Sequence, residues 1–208
     1  MQRSQVNWRR QYPFRSHEMF VGPLRLHYLD EGHQAPLLFV HGNPTWSFYW
    51  RNLVTAFRDS HRVVAVDHMG CGLSDKPQDY PYTLAQHTAN LIQLVEHLDL
   101  HEITLVGHDW GGAIGLGAAI ERPERFAQFV LFNTGAFPPP FVPFRIRICR
   151  TPWLGQIAVR GFNLFARAAL RMAIHHPDRR TPMVRAGLLA PYDSWAHRVA
   201  IYRFISDI

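Results

Sequence analysis

Cysteine is almost missing from this chain, and lysine nearly so. Only Cys71 and Cys149 occur among 208 residues, with no CxxC pair and no Cys/His cluster at zinc spacing. A disulfide scaffold and a structural zinc module are thereby excluded, and two reduced thiols fit a cytoplasmic setting. No uncharged apolar run reaches the roughly 18 residues that a membrane span requires. The opening stretch MQRSQVNWRRQYPF carries charges and a proline where a signal peptide would hold an apolar segment. Internal repeats are absent as well. What remains is a chain with 47% hydrophobic and 13% aromatic residues, too apolar for disorder and long enough for one packed core.

Charge is distributed unevenly. Lys76 is the single lysine, and every other basic residue is arginine. Between Gly135 and Ile208 eleven arginines face only Asp178, Asp193 and Asp207, a balance of 11 − 3 = +8 within a whole-chain net charge of +6. Such a segment has the sign needed to meet nucleic acid or an acidic membrane surface. The arginines come singly among apolar residues, however, as in RGFNLFARAALRMAI, which reads as the solvated side of helices. The expectation is therefore no nucleic-acid partner and, at most, a minor membrane contact.

Periodicity divides the chain in two. Apolar, β-branched runs stand at 24–30, 36–42, 61–70, 103–109 and 126–134, the middle ones continuously apolar as in strands buried on both faces. Helical patterns lie between them at 45–57, 83–98 and 111–122, the last stopped by Pro123. Strands alternating with crossover helices predict a mostly parallel α/β sheet over residues 1–136. GAFPPPFVPF (135–144) reads as a hinge, because proline suits neither a helix interior nor a central strand. Beyond it, helices expected near 154–174 and 193–206 make residues 137–208 a helical cap and the start of a return to the core. YRFISDI (202–208) stops inside an apolar-periodic pattern, which reads as a truncation with further strands missing.

GHDWGG (107–112) sits where a strand passes into a helix. A nucleophile between glycines in this context is presented at the carboxyl edge of the sheet on a tight, strained turn. Here the residue is Asp109, and the helix N-terminus behind it favours its ionised form. A carboxylate nucleophile forms an ester containing the enzyme's own carbonyl, so its substrate needs only a saturated carbon with a leaving group. HGNPTW (41–46) follows an earlier buried strand and places Asn43 near the elbow, with Pro44 restricting the Asn43 backbone to extended conformations. Asn43 and Trp110 offer two uncharged donors for a departing anion, and their backbone amides suit an oxyanion hole. Asp67 reads as a turn cap, and the short Gly70-x-Gly72 lacks a phosphate-loop context.

Together HGNPTW, DHMGCGLSDKP (67–77) and GHDWGG resemble the haloalkane dehalogenases of the α/β-hydrolase superfamily, over nearly all of residues 18–208. DHMGCGLSDKP resembles in particular the subgroup that includes the β-lactone decarboxylases. The resemblance implies an α/β-hydrolase fold with an inserted cap, carbon–halogen cleavage through an Asp109 ester, and no metal or organic cofactor. The same aspartate acting on a strained lactone ring, with release of carbon dioxide and an alkene, is the alternative. Epoxide hydrolases share the elbow but use paired cap tyrosines, for which only Tyr192 and Tyr202 are on offer. The resemblance also implies a triad acid and histidine. The position 24 residues after the nucleophile, used for the acid in some members, holds Asn133. Acid and base are therefore expected outside this chain, which as it stands is expected not to turn over and could act as a non-hydrolytic binder. Phe141, Phe144, Trp153, Phe162 and Phe165 of the cap are expected to line a dry pocket for a small apolar organic substrate.

Overall fold

The computed structural model describes residues 7–135, 137 and 141–208. Part of the proline-rich hinge, and the domain boundary set at residue 136, lie outside the described residues. Six strands form one sheet: β1 (Ser16–Val21), β2 (Leu24–Glu31), β3 (Pro36–Val40), β4 (Arg62–Val66), β5 (Ile103–His108) and β6 (Phe126–Phe132). Their order across the sheet is β1-β2-β4-β3-β5-β6, with β2 antiparallel to β1 and β4, and β4, β3, β5 and β6 mutually parallel. The mostly parallel α/β sheet expected from the periodicity is what forms. β1 was not foreseen: SHEMFV buries only Met19, too little apolar character to announce a strand.

Continuous apolar runs became strands covered on both sides. Leu38, Val40, Val64 and Val66 face one core, and Leu37, Phe39, Val63 and Ala65 face the other. The first core is closed by α2 (Leu84–His97) and α3 (Trp110–Glu121), the second by the turn Ser47–Trp50 and α1 (Arg51–Phe57). Thr83 caps α2 by accepting from the Gln86 amide, and the Asp207 carboxylate accepts from the Leu84 amide at 2.7 Å. β6 differs from its neighbours, since Phe129, Val130, Leu131 and Phe132 are each 41–47% exposed on an edge of the sheet.

After β6 the chain is helical: α4 (Phe144–Arg150), α5 (Leu154–Gln156) leading into a π turn at Ile157–Gly161, α6 (Leu164–Met172), α7 (Pro182–Leu189) and α8 (Val199–Ser206). α4 starts at the residue taken as the end of the hinge, and α7 was not expected at all. α8 returns to the core, with Val199, Ala200 and Phe204 buried against one side and Ile201 and Ile205 against the other. No helix among the described residues is long and apolar enough to cross a membrane.

Candidate active site

Asp109 stands at the junction of β5 and α3 with φ +54°, a conformation few side chains adopt and one that turns its carboxylate out of the helix path. Glycines make the turn possible by close approach. A β-carbon at Gly107 would meet Gly112, one at Gly111 would run into the Val40 carbonyl, and one at Gly42 would occupy the space of the Asp109 side chain. The turn is fixed from behind by Thr134, whose hydroxyl donates to the Asp109 carbonyl at 2.6 Å. Asp109 makes no side-chain capping bond to its own helix, so capping does not account for the residue.

Its carboxylate is held instead by backbone donors. The Asn43 amide donates to Oδ1 at 2.8 Å, and the Trp110 amide also acts on the carboxylate. Burial raises the Asp109 pKa above the usual carboxylate value, while these two amides and neighbouring His108 pull it back. The Asn43 amide thus reaches the carboxylate from the loop after β3, and the Trp110 amide acts on it from the first residue of α3. The side chains depart from expectation. Asn43 Nδ2 donates to the Ile201 carbonyl at 3.1 Å, and the Trp110 indole packs against Phe204 with ring centroids 5.4 Å apart. α8 thus engages both groups expected to hold a leaving anion. The Asn43–Pro44 peptide is cis.

Asp109, Asn43 and His108 line a cavity of about 630 Å³, within the usual range for small-molecule sites. Asn133, at the end of β6 with φ +43°, lines it too. The opposite wall comes from α6 and α7, apolar through Ala166, Ala169, Leu170, Val184, Leu188 and Leu189, with Arg179 from the turn between the two helices also on the lining. Small residues spaced three and four apart on α6 carried that signal in the sequence, but larger aromatics drew the reading elsewhere. None of Phe141, Phe144, Trp153, Phe162 and Phe165 lines the cavity. Phe141, Phe144, Trp153 and Phe162 are 64–83% exposed because they lie outside the α6 face that turns inward, and Phe165 packs into the second core. In place of those aromatics, the α6 and α7 side of the pocket is lined mainly by aliphatic residues. Neither Tyr192, whose hydroxyl donates to the Thr45 carbonyl at 3.0 Å, nor Tyr202 borders the cavity, so no tyrosine pair faces Asp109.

Three further cavity residues were not foreseen. Tyr49 stacks on His108 with centroids 4.8 Å apart, and burial together with the Asp109 charge raises its pKa. Burial lowers the pKa of His108, with the Asp109 charge acting in the opposite direction. Arg51 lies with its guanidinium 4.4 Å over the Phe48 ring and donates to the Phe48 carbonyl.

Beneath the site, Asp67 is fully buried and does more than cap a turn. It accepts from the Ser47 amide at 2.7 Å, the Leu73 amide at 2.9 Å and the His27 ring at 2.8 Å. Burial alone would raise its pKa, but the bond and charge of His27 lead the opposing effects and hold it below the usual value. His41 donates from Nδ1 to the Gly42 carbonyl and accepts the His68 amide on Nε2, while burial lowers both ring pKa values. These histidines brace the Gly42–Asn43 loop.

Residues 35–171 match the alpha/beta hydrolase fold family. The chain is 46% identical over 205 residues to a cis-3-alkyl-4-alkyloxetan-2-one decarboxylase of Shewanella oneidensis, covering 94% of this chain but only 63% of that protein. It is 36% identical over 182 residues to haloalkane dehalogenase 2 of Mycobacterium tuberculosis, covering 86% of this chain and 63% of the relative. A crystal structure of a haloalkane dehalogenase from Agrobacterium tumefaciens superposes with a TM-score of 0.74 at 28% identity, over 90% of this chain and 66% of that one. The chain thus spans less than two thirds of the length of these relatives. The strand order, the elbow that carries Asp109 and these likenesses lead to one assignment: the chain belongs to the alpha/beta hydrolase fold family, in the group that includes haloalkane dehalogenases and oxetan-2-one decarboxylases.

Proposed function

We propose that the protein opens oxetan-2-one rings at a saturated carbon through Asp109 and releases an alkene. The observation that carries this reading is the Asp109 carboxylate, held by the Asn43 and Trp110 amides at the edge of an aliphatic cavity. A carboxylate oxygen attacks the ring carbon bearing the ring oxygen, and that carbon–oxygen bond breaks with its electron pair passing to the substrate's new carboxylate. That carboxylate then leaves as carbon dioxide. The pair from the broken carbon–carbon bond forms the double bond, and the ester bond to Asp109 breaks to restore its charge. The route needs no water-activating base. It also suits a site where the Asn43 amide group is engaged by Ile201, since the first leaving group stays tethered to the substrate. The likeness to the oxetan-2-one decarboxylase of Shewanella oneidensis supports the substrate class.

A second reading, hydrolysis of carbon–halogen bonds, is favoured by the dehalogenase relatives and by the residue types of Asn43 and Trp110 beside the nucleophile. It requires both side chains to leave their α8 partners, and a base to activate water. The two separate on products. With a cis-3,4-dialkyl-oxetan-2-one the expected outcome is alkene and carbon dioxide in equal amounts, both lost in Asp109→Asn. Halide release from a haloalkane, with no alkene from the lactone, would overturn the first reading in favour of the second.

A further inference from the structure

A second pocket adjoins the Asp109 cavity, and Leu170 and Leu189 line both. It measures about 310 Å³ and lies between α6 and α7, bordered by Arg167, Arg171, Arg180 and Arg185. Helix spacing sets them there. Arg167 and Arg171 are one turn apart on α6 beside Leu170, and Arg185 stands one turn before Leu189 on α7. No carboxylate answers these groups: among the described residues, none of the four guanidiniums makes an ion pair or a side-chain hydrogen bond, although Arg25, Arg62, Arg122 and Arg125 of the core all pair with Asp or Glu. The adjacent acid, Asp178, is 3.5 Å from Arg179. The Nε of Arg180 is buried with no partner.

Four like charges around so small a space repel one another, and a buried donor without an acceptor adds to the cost. An oxyanion offsets both, because the planar fork of each guanidinium matches two oxygens of a phosphate. The pocket is compact, so it suits a single headgroup rather than a nucleic-acid strand. Leu170, Leu189 and Pro177 supply an apolar side for whatever carries that group. We propose that the α6–α7 pocket is a binding site for a phosphate group, with Arg167, Arg171, Arg180 and Arg185 as its ligands. The source is either a soluble phosphate ester or a phospholipid headgroup.

The test is a binding measurement, independent of any reading of Asp109. Pyrophosphate is titrated by calorimetry, and vesicles containing phosphatidic acid are compared with pure phosphatidylcholine by sedimentation. Saturable binding in either arm is expected, the soluble arm identifying a free ester and the vesicle arm a headgroup. Arg171→Ala and Arg185→Ala, both at exposed positions, are each expected to weaken it about tenfold with the circular-dichroism spectrum unchanged. Arg145→Ala and Arg147→Ala on α4 are expected to leave it unaltered. Absence of saturable binding in both arms would overturn the site. An equal loss from the α4 substitutions would also do so, since it would reduce the effect to diffuse positive charge.

Discussion

The sheet core and the helical stretch after β6 treat charge in opposite ways. In the core, Arg62 forms a two-pronged bond to Asp30, Arg125 meets Asp99, and the buried Asp67 carboxylate is answered from three sides. In the helical stretch, arginines outnumber carboxylates, and those around the α6–α7 pocket have no acidic partner among the described residues. The difference teaches what each region is for. A carboxylate inside the core is tolerable only when satisfied, and it then fixes the loops around it. Cations left unanswered near the surface add little to folding, and under the proposal above they serve a bound oxyanion.

Substitutions can break or sharpen this contrast, and the largest effect belongs at the elbow. Under the proposed mechanism, in which Asp109 is the nucleophile, Asp109→Asn is expected to reduce turnover on the order of ten-thousandfold or more. Intact mass after incubation with substrate should show an ester on the parent protein and none on the variant. Next comes Asp67→Asn, which leaves the His27 and backbone donors facing an uncharged group. A loss of about 3–5 kcal/mol is expected by urea denaturation. A loss below about 1 kcal/mol would show that the buried network does not organise the loops.

A matched pair tests the contrast directly. Arg62→Ala is expected to cost about 1 kcal/mol, as its partly buried bidentate pair with Asp30 is lost. Arg171→Ala is expected to stay within about 0.5 kcal/mol of the parent. Equal costs would erase the distinction between the cations of the core and those of the helical stretch. The smallest effect is a pH dependence. Burial raises the Asp109 pKa, so ionising it costs folding energy, and its contribution is lost as pH rises through the folded value. Asp109→Asn should therefore raise the thermal midpoint at neutral pH and not in acid. For the same reason, the acid limb of the alkylation rate should lie above the usual carboxylate range.

Much of this architecture was legible in the residues. The runs at 36–40, 62–66 and 103–108 are buried on both faces, which is why unbroken apolar character identified them. GHDWGG revealed the elbow through its glycines, of which Gly107 and Gly111 face neighbouring backbone and Gly112 faces the Thr134 side chain. α4 escaped because FRIRICR alternates arginine with apolar residues, a period of two, and follows prolines. α7 is short, and its one clear signal, Thr181 capping ahead of Pro182, was overlooked. The cavity wall was misassigned for a physical reason. The α6 and α7 wall facing Asp109 uses alanines and leucines, whereas four of the five conspicuous aromatics are exposed and Phe165 packs into the second core. The engagement of Asn43 by Ile201 joins residues 158 positions apart, and no local pattern records it.

That long-range bond has a mechanical consequence. α8 is fastened at three points: Ile201 to Asn43, Phe204 on the rings of His87 and Trp110, and Asp207 to the start of α2. It behaves as a fixed post, so a substrate cannot enter by swinging that helix aside without dismantling the elbow. On the other side of the cavity, Leu170 and Leu189 form the partition that it shares with the arginine-lined chamber, and α7 is tied to the elbow's neighbouring loop by the Trp46 indole on the Gly187 carbonyl.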